Sequence, residues 1–565
     1  MRLFRSIRKA TRDIAPEEIF LDSTNLPAHD THGLESHVER PVPLSALFAV
    51  GAFFLGVALL FGARAYDLQI MRGAAFAQAS RENTLERSII FATRGVIYDR
   101  TGKELAWNEL SQSATATPFA LRKYDPRSGF AHVIGWLRYP RRDAAGAWWR
   151  EAYTARAGGE LSLDQQLSWR NGSTMVETDA RGRVERENIV DPARSGTDVY
   201  LSIDADVQAE LYRILSAHAR KQRFTGGAAV IMDVRTGELL ALTSFPEYDH
   251  AAFTAGDSDT VGRQYADAAT PVLDRAVSGL YAPGSIVKPI FAVAALHEGI
   301  ITPEKTIVST GAISVPNPYD PGHPTLFRDW TVHGAVDMRT AIAVSSDEYF
   351  YTIGGGYSSQ EGLGIERLDK YARMFGLSEK TGIALPGEEE GVIPTPAWKS
   401  ITFGPDDPWR IGDTYHTAIG QYGFQITPIQ AVRFTAAIAN GGKLLTPQLV
   451  ASSSPQFTQL EISDANLQVA REGMRLAVTS TRKDATVKAL YIASIKIAGK
   501  TGTAQIGTRN QWMNSWSVGF WPADNPRYAY AVVLEHAPAG TLSGASPALA
   551  PFFQWLIANR PEYIE

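Results

Sequence analysis

One uncharged apolar segment constrains this chain more than any other feature of its sequence. No Asp, Glu, Lys or Arg occurs between Arg40 and Arg64, and the centre of the segment is Leu44–Ala63. About 20 apolar residues suffice to cross a bilayer as a helix, whereas the apolar part of a signal peptide is shorter and nearer the N-terminus. We therefore predict an uncleaved membrane anchor at residues 41–63. A signal peptide and a buried helix are the alternatives.

The charges around this segment bear on its orientation. Cytoplasmic segments carry an excess of Lys and Arg, but long domains cross a membrane largely regardless of charge. The residues close to the segment point to the opposite orientation, because Arg64 and Arg72 follow it closely. The distal N-terminal residues favour a cytoplasmic N-terminus, because five basic residues lie from Arg2 to Arg12. We expect residues 1–40 to be a cytoplasmic tail and the chain after the anchor to lie outside.

The composition narrows the possible chemistry. Cysteine is absent, which excludes disulfides, thiolate catalysis and Cys-ligated zinc or iron–sulfur sites. The 55 basic and 60 acidic residues give a net charge of −5, and nucleic-acid-binding proteins usually show a basic excess. We therefore expect no nucleic-acid partner, and we expect a covalent nucleophile to be Ser, Thr or Lys.

The length suggests about three or four domains at roughly 150 residues each. Turn residues around Ser195 mark one boundary, so we divide the chain after the anchor into residues 64–195 and residues 196–565. In the second part, strand-like runs such as Trp516–Phe520 and Tyr528–Glu535 flank turn residues, as in antiparallel hairpins. Helical segments lie between such runs, and this mixture predicts an α+β fold with an antiparallel sheet.

The pattern Ser-x-x-Lys, which places both side chains on one helix face, occurs three times. Ser6–Lys9 precedes the anchor, and Ser480–Lys483 lies in a polar stretch. Ser285–Lys288 instead follows Pro283-Gly284, within a stretch Tyr281–Leu296 that predicts a buried helix. A helix N-terminus favours developing negative charge, and burial favours the neutral lysine that a general base requires. Ser285 is the candidate nucleophile, and Lys288 is its candidate base.

The tripeptide Lys-Thr-Gly occurs twice. Lys380-Thr-Gly382 lies in a turn-rich connector, which favours a role in loop structure. Lys500-Thr-Gly-Thr503 continues a strand-like run, so Thr501 and Thr503 share one face. Gly502 leaves room for the close approach of another backbone, and an extended peptide could add beside this strand.

Ser345-Ser346-Asp347 lies between these two elements in the chain. By itself it would be interpreted as a helix cap. In the order Ser-x-x-Lys, Ser-x-Asp, Lys-Thr-Gly, however, it completes a set of motifs shared by penicillin-binding proteins and class A β-lactamases.

The chain resembles the class B penicillin-binding proteins, specifically the elongation-type penicillin-binding protein 2 subfamily, over nearly all of residues 44–560. The segments that carry the resemblance are Arg94–Gly102, Tyr281–Pro289, Ser345–Tyr351, Pro396–Lys399, Gly412–Thr414 and Lys500–Thr503. Asp347 stands where many relatives have Asn, as in that subfamily. An inserted Tyr422 departs from the usual Gly-Gln-Gly run.

The resemblance implies a penicillin-binding, serine β-lactamase-like transpeptidase domain that cross-links peptidoglycan without a cofactor. Ser285 would attack the D-Ala–D-Ala bond of a stem peptide, and a second stem would resolve the acyl-enzyme. Lys288 would take the proton from Ser285, while Ser345 and Lys500 would relay protons to the leaving amine. The positive charge of Lys500 would keep Lys288 neutral, and Asp347 would orient groups near Ser345.

The resemblance also assigns roles on the third motif. The N–H groups of Ser285 and Thr503 would form the oxyanion hole. Thr501 and Thr503, with Gly502 between them, would hold the terminal carboxylate of the substrate. β-Lactams should acylate Ser285, because they mimic the donor.

The resemblance extends to partners and location. Residues 64–195 match a non-catalytic pedestal of the dimerisation type, and residues 196–565 match the transpeptidase domain. The protein would lie in the bacterial cytoplasmic membrane as a single-pass protein with its catalytic domain outside. Its partners would be stem peptides, β-lactams, the membrane and a polytopic glycosyltransferase of the rod-shape system. The alternatives are a D,D-carboxypeptidase or β-lactamase-type hydrolase, and a β-lactam-binding sensor or scaffold.

One weaker signal concerns a metal. The side chains of Asp320, His323, Asp329 and His333 are of types that bind zinc. Their spacing matches no standard zinc site and no Cys supports it, so we expect no metal and keep zinc as an alternative.

Overall fold

The described part of the chain forms two units. The computed structural model describes residues 44–82, 85–110, 117–178, 184–317, 320–451 and 454–564. Apart from those gaps, residues 44–86 with 177–186 form the first unit, and residues 87–176 with the chain from 187 onward form the second. The expected tail at residues 1–40 and the start of the expected anchor lie outside the described residues. The division of the remaining chain at residue 195 stays a prediction.

The first unit contains the apolar helix that the sequence predicts. Helix α1 spans Leu44–Tyr66, and one π-turn prolongs the helical segment to Met71. The 28 residues correspond to about 42 Å at 1.5 Å per residue, compared with about 30 Å for the hydrocarbon core of a bilayer. Large apolar side chains are exposed along it, for example Phe48 at 74% and Leu60 at 69%. The helix is therefore long and apolar enough to cross a membrane, and its exposed surface suits lipid.

The second unit is built around an antiparallel sheet, as predicted. Its strands are β1 (Gly226–Asp233), β2 (Leu239–Phe245), β3 (Ala498–Ile506), β4 (Trp512–Trp521) and β5 (Tyr528–Pro538). They follow the order β2-β1-β5-β4-β3, with every neighbouring pair antiparallel. Strand β3 therefore lies at one edge of the sheet. The α+β expectation is confirmed.

Both faces of this sheet are buried by helices. Along β1, Ala228, Val230 and Met232 enter one hydrophobic core, whereas Ala229 and Ile231 enter the other, as the alternation of a strand requires. The first core includes helix Pro428–Ala439. The second includes helices Ala205–Gln222 and Ala545–Asn559, which contact each other.

Three short helices position the predicted site residues. A 3₁₀ turn at Gly284–Val287 leads into α2 (Lys288–His297), and α3 (Met338–Val344) is followed closely by α4 (Asp347–Gly355). The predicted helix from Tyr281 therefore begins later than expected. Pro289 has no N–H to donate and is favoured in the first helical turn, so the regular helix starts beside it.

The remaining elements of the two units have the following bounds. Further helices span Gly73–Glu82, Ala131–Ile134, Gly158–Ser162, Asp164–Leu167, His250–Ala255, Ser258–Ala266, Gly364–Met374, Pro396–Phe403, Ile411–Ala418 and Asp464–Thr479. Further strands span Leu85–Ile90, Ile97–Tyr98, Glu104–Glu109, Leu121–Tyr124, Leu137–Arg138, Arg141–Arg142, Trp148–Arg150, Thr154–Ala155, Gly172–Thr178, Val184–Asp191, Val199–Tyr200, Ile307–Ser309, Ala312–Val315, Thr325–Arg328, Gly334–Val336, Lys443–Leu445 and Phe457–Gln459. Two 3₁₀ turns span Lys488–Leu490 and Pro561–Tyr563.

Candidate active site

The three predicted motifs meet at one open cleft of the second unit. The cavity has a volume of about 860 Å³. The residues that line it are Ser285, Arg328, Asp329, Trp330, Ser345, Asp347, Tyr351, His416, Ile419, Gln421, Tyr422, Thr486, Thr501, Thr503, Gln505 and Asn510. Lys288 and Lys500 are fully buried, and both contact Ser345. The structure thus brings together residues that are more than 200 positions apart in the chain.

Ser285 lies on a tightly packed turn. It is half-buried in the 3₁₀ turn before α2. Gly284 has φ +55°, and a Cβ on it would lie 2.9 Å from the Thr503 carbonyl oxygen. A Cβ on Gly420 would lie 2.2 Å from the Gly284 carbonyl oxygen. The two glycines therefore allow the turn to pack between β3 and the loop at Gly420.

Lys288, at the start of α2, is engaged by the second motif. Its Nζ donates hydrogen bonds to Asp347 Oδ1 at 2.6 Å and to the Ser345 carbonyl oxygen at 2.8 Å. A longer contact of 3.4 Å reaches Ser345 Oγ. Asp347 is only 18% exposed, so its ion pair with Lys288 is largely shielded from water. Among the described residues, Ser285 Oγ is not a hydrogen-bond partner of Lys288.

Ser345 connects the two lysines. It ends α3 with a left-handed backbone, φ +60°, which is unfavourable for a residue with a Cβ. Its Oγ accepts a hydrogen bond of 2.7 Å from Lys500 Nζ. The same Oγ makes the 3.4 Å contact with Lys288 Nζ. One hydroxyl thus bridges the amines of the first and third motifs, and the strained backbone lies at that point.

Lys500 lies on the edge strand β3. Its Nζ donates a second hydrogen bond, of 2.8 Å, to the Thr501 carbonyl oxygen. Burial lowers the pKa of Lys500 well below its usual 10.5, and the positive charge of Lys288 lowers it further, whereas the Asp347 carboxylate raises it. The site therefore favours a neutral Lys500 amine beside the ion pair of Lys288 with Asp347.

The residues after Lys500 line the cleft along the edge of the sheet. Thr501 is half-buried and Thr503 is exposed. A Cβ on Gly502 would lie 2.6 Å from the Pro283 carbonyl oxygen, so only glycine fits between β3 and the turn that carries Ser285. An edge strand can pair with an added extended peptide, and here such a peptide would lie beside the serine.

A buried ionic network supports the second motif. Asp329 accepts hydrogen bonds from Ser346 Oγ at 2.8 Å and from the Glu348 N–H at 3.0 Å. His333 Nε2 lies 3.4 Å from Asp329, and its Nδ1 lies 2.8 Å from Asp484. Desolvation raises the pKa of Asp329, but His333 and backbone N–H groups outweigh it and lower the pKa to about 2. Desolvation lowers the pKa of His333, but the two carboxylates raise it above its usual value.

The four residues considered as zinc ligands do not form one site. Asp320 and His323 make an exposed pair, with 3.0 Å between His323 Nδ1 and Asp320 Oδ2. Asp329 and His333 belong instead to the buried network. Within the ranges that the structure describes, no three His, Asp or Glu side chains are arranged to hold a metal ion. The zinc alternative therefore has no ligand cluster among these residues.

Tyr422 is the clearest cleft residue that sequence reasoning did not place. It has φ +63°, and its ring centroid lies 5.8 Å from that of Trp398 and 5.9 Å from that of Trp409. Lys399 Nζ lies 5.7 Å from the same ring, and this buried lysine is paired with Asp413 at 2.7 Å. Only the departure from Gly-Gln-Gly marked this residue in the sequence, because its position depends on packing against distant segments.

Comparison with known proteins agrees with this geometry. Residues 227–557 match the family described as the penicillin binding protein transpeptidase domain. The matched range is more than half of the chain, and it contains the three motifs of the cleft.

Individual relatives give the same result. The peptidoglycan D,D-transpeptidase MrdA of Haemophilus influenzae is 29% identical, over 91% of this chain and 92% of its own. A complex between penicillin-binding protein 2 and MreC from Helicobacter pylori contains a chain that is similar with a TM-score of 0.70 and 26% identity, over 84% of this chain and 99% of that one. A peptidoglycan synthase complex, described as coordinating polymerization and crosslinking, matches with a TM-score of 0.69 and 26% identity, over 92% of this chain and 98% of that one. The chain therefore belongs to the penicillin-binding proteins with a transpeptidase domain, and within them to the peptidoglycan D,D-transpeptidases of the penicillin-binding protein 2 type.

Proposed function

We propose that this protein cross-links peptidoglycan stem peptides through an acyl-enzyme on Ser285, and that β-lactams inhibit it by acylating the same residue. The observation that carries the assignment is the continuous contact from Lys288 through Ser345 to Lys500, beside a half-buried serine and a free strand edge. This arrangement supplies a nucleophile, two amines and a surface for an extended peptide.

The proton route follows from the same contacts. For Ser285 to attack, its hydroxyl proton must pass to a basic nitrogen. Lys288 can accept that proton once its own has moved through Ser345 Oγ to Lys500, along the contacts of 3.4 and 2.7 Å. The shift leaves Lys288 neutral and Lys500 positive without a net change in protons. A substrate carboxylate bound beside β3 favours the shift, because it stabilises positive charge on Lys500.

The remaining steps use the same groups. Attack by Ser285 Oγ on the D-Ala–D-Ala amide produces an oxyanion, which the N–H groups of Ser285 and Thr503 stabilise. The C–N bond then breaks, and D-Ala leaves with a proton returned through Lys500 and Ser345. The amine of a second stem attacks the acyl-enzyme and restores the serine. Asp347 holds Lys288 in place through the 2.6 Å ion pair.

The test is to supply the full chain with a pentapeptide donor ending in D-Ala–D-Ala and a D-amino acid as amine acceptor. We expect release of D-Ala together with a new amide between donor and acceptor. Release of D-Ala without the amide would overturn the proposal in favour of a D,D-carboxypeptidase. Turnover of penicillin would indicate a β-lactamase, and stable penicillin labelling without either product would indicate a sensor or scaffold.

We further propose that α1 anchors the protein once in the cytoplasmic membrane, with residues 64–195 and 196–565 outside as pedestal and transpeptidase domain. The basic N-terminal residues support this orientation. Since relatives assemble with MreC and act in a synthase complex that also polymerizes, we propose a polytopic glycosyltransferase as partner. The test is co-purification of the glycosyltransferase with this protein from membranes. The chain with an intact pedestal surface is compared with a variant in which that surface is altered.

A further inference from the structure

A small hairpin region of the second unit carries an unusual concentration of positive charge. Strand Leu137–Arg138 pairs with Thr154–Ala155, and strand Arg141–Arg142 pairs with Trp148–Arg150. We define the arginine patch as Arg138, Arg141, Arg142, Arg150 and Arg156. Four of these are exposed and Arg150 is half-buried. In the part of the chain that the structure describes, none of the five has a carboxylate partner within 4.0 Å.

The positive charges lie close to each other instead of being neutralised. Arg141 and Arg150 are direct cross-strand partners, and like charges in such positions destabilise a strand pair. Desolvation lowers the pKa of Arg150, and the charges of Arg138, Arg156 and Arg141 lower it further. An uncharged residue at position 141 would remove one of these three repulsive charges.

The two acidic residues of the same segment do not compensate for this charge. The carboxylate of Asp143 accepts hydrogen bonds of 2.9 Å from the N–H groups of Ala145 and Ala147, and so it is used to close the loop. Glu151 is exposed to solvent. The patch therefore keeps an excess of positive charge on a chain whose net charge is −5.

Tryptophan side chains accompany the arginines. The Arg142 guanidinium lies 4.4 Å from the Trp148 ring centroid, and that of Arg150 lies 4.5 Å from Trp149. Trp149 is 57% exposed, which is a large apolar area to leave in water. Trp is enriched at the boundary between a membrane and water, and the planar guanidinium of Arg binds phosphate in a bidentate manner.

We propose that the arginine patch binds the phosphate headgroups of anionic phospholipids. This inference rests on the proposed anchoring of the chain by α1, which makes anionic lipid available as a ligand. A polybasic surface is attracted to anionic headgroups within about a Debye length of a bilayer. Trp149 inserts at the headgroup level, and the five arginines satisfy their charge on phosphates.

The test uses the full chain in nanodiscs of phosphatidylcholine alone or of phosphatidylcholine mixed with phosphatidylglycerol. Amide hydrogen exchange of residues 137–156 is followed in both. We expect several-fold slower exchange in the discs that contain phosphatidylglycerol, and the difference should shrink at high salt because salt screens the attraction. Equal exchange in the two kinds of disc would overturn the proposal.

Variants separate the patch from charge in general. The combination of Arg141→Gln, Arg150→Gln and Arg156→Gln should abolish the difference between discs. The matched control, with Lys221→Gln, Arg235→Gln and Lys380→Gln at exposed positions elsewhere, should keep it. If the triple patch variant no longer labels with penicillin, Arg141→Gln alone replaces it and should reduce the protection. A difference between the discs that survives loss of the patch would contradict the assignment of lipid binding to these arginines.

Discussion

The two copies of Lys-Thr-Gly show how strongly the environment of a tripeptide determines its role. In the first copy, Lys380 is exposed and Thr381 is buried, with its hydroxyl and N–H bound to the Glu388 carboxylate. In the second copy the lysine is inside: Lys500 is 0% exposed, and its amine contacts Ser345. The first copy closes a loop around a carboxylate, whereas the second presents a buried amine to a cleft.

The difference comes from secondary structure. The backbone at Gly382 has φ +83°, which suits a turn. The second copy lies on β3, where Lys500 pairs with Val518 and Gly502 with Trp516 on the neighbouring strand. Burial then lowers the pKa of Lys500. The proposed catalytic role therefore belongs to the copy on the sheet edge beside Ser285.

The largest effect is expected in a comparison of two of the three copies of Ser-x-x-Lys. Ser285→Ala should abolish covalent labelling by a fluorescent penicillin, because the nucleophilic oxygen is lost. Ser480→Ala is the matched control and should label normally, since that serine ends helix Asp464–Thr479 away from the cleft lining. Thermal unfolding of both variants checks that the fold is kept. Labelling of the Ser285→Ala protein at one site would show that the nucleophile is elsewhere.

The next largest effect is expected in a comparison of the lysines of the two Lys-Thr-Gly copies. Lys500→Ala should slow penicillin acylation by about 10²- to 10⁴-fold, the usual contribution of acid–base groups. Lys380→Ala should leave the acylation rate unchanged, because its side chain is exposed and does not line the cleft. The second-order rate constant of acylation is the quantity to measure. Equal rates for the two variants would remove the distinction between the copies.

The pH dependence of acylation should reflect Lys500. The pKa of Lys500 is lowered well below 10.5. The acylation rate should therefore reach its maximum at a pH below 10.5, and it should decline as the pH falls through the lowered pKa. Asp347→Asn removes a carboxylate that raises this pKa, so the acidic limb should move to lower pH. Stopped-flow acylation over a pH series measures the limb. A shift to higher pH in Asp347→Asn would contradict the proposed proton distribution.

The smallest effect is on stability at the first copy. Thr381→Ala removes a buried hydrogen bond to Glu388, and it should lower the free energy of unfolding by about 1–3 kcal/mol without slowing acylation. Thr501→Ala should do the reverse, with slower acylation and little change in unfolding. Denaturant titration and acylation kinetics of both variants provide the comparison. A Thr381→Ala protein with normal stability but slow acylation would contradict the account, because it would place the first copy, and not the second, in the cleft.

Much of the fold followed from the sequence because it depends on local patterns. The uncharged segment predicted α1, and strand-like runs predicted β4 and β5, each somewhat shorter than observed. The order and context of the three motifs indicated which serine lines the cleft and which two buried lysines contact Ser345 beside it. Helix α2 was expected to begin earlier, because the apolar run continues through the 3₁₀ turn and only hydrogen bonding distinguishes the two.

The electrostatics of the site could not be predicted in the same way. The resemblance implied a positive Lys500 beside a neutral Lys288. In the structure, burial lowers the pKa of Lys500, and Asp347 lies 2.6 Å from Lys288. The network of Asp329, His333 and Asp484 was also outside sequence reasoning, because Asp484 is 151 residues from His333. Such distances depend on tertiary packing and leave no periodic signal.

The most direct test of the account is to identify the residue that a β-lactam acylates in the unmodified chain. Intact-protein mass spectrometry should show one adduct, and digestion should locate it on the peptide that contains Ser285 and Lys288. An adduct on the peptide that contains Ser480, on any other residue, or no adduct at all would contradict the proposal that Ser285, beside the two buried lysines, is the nucleophile.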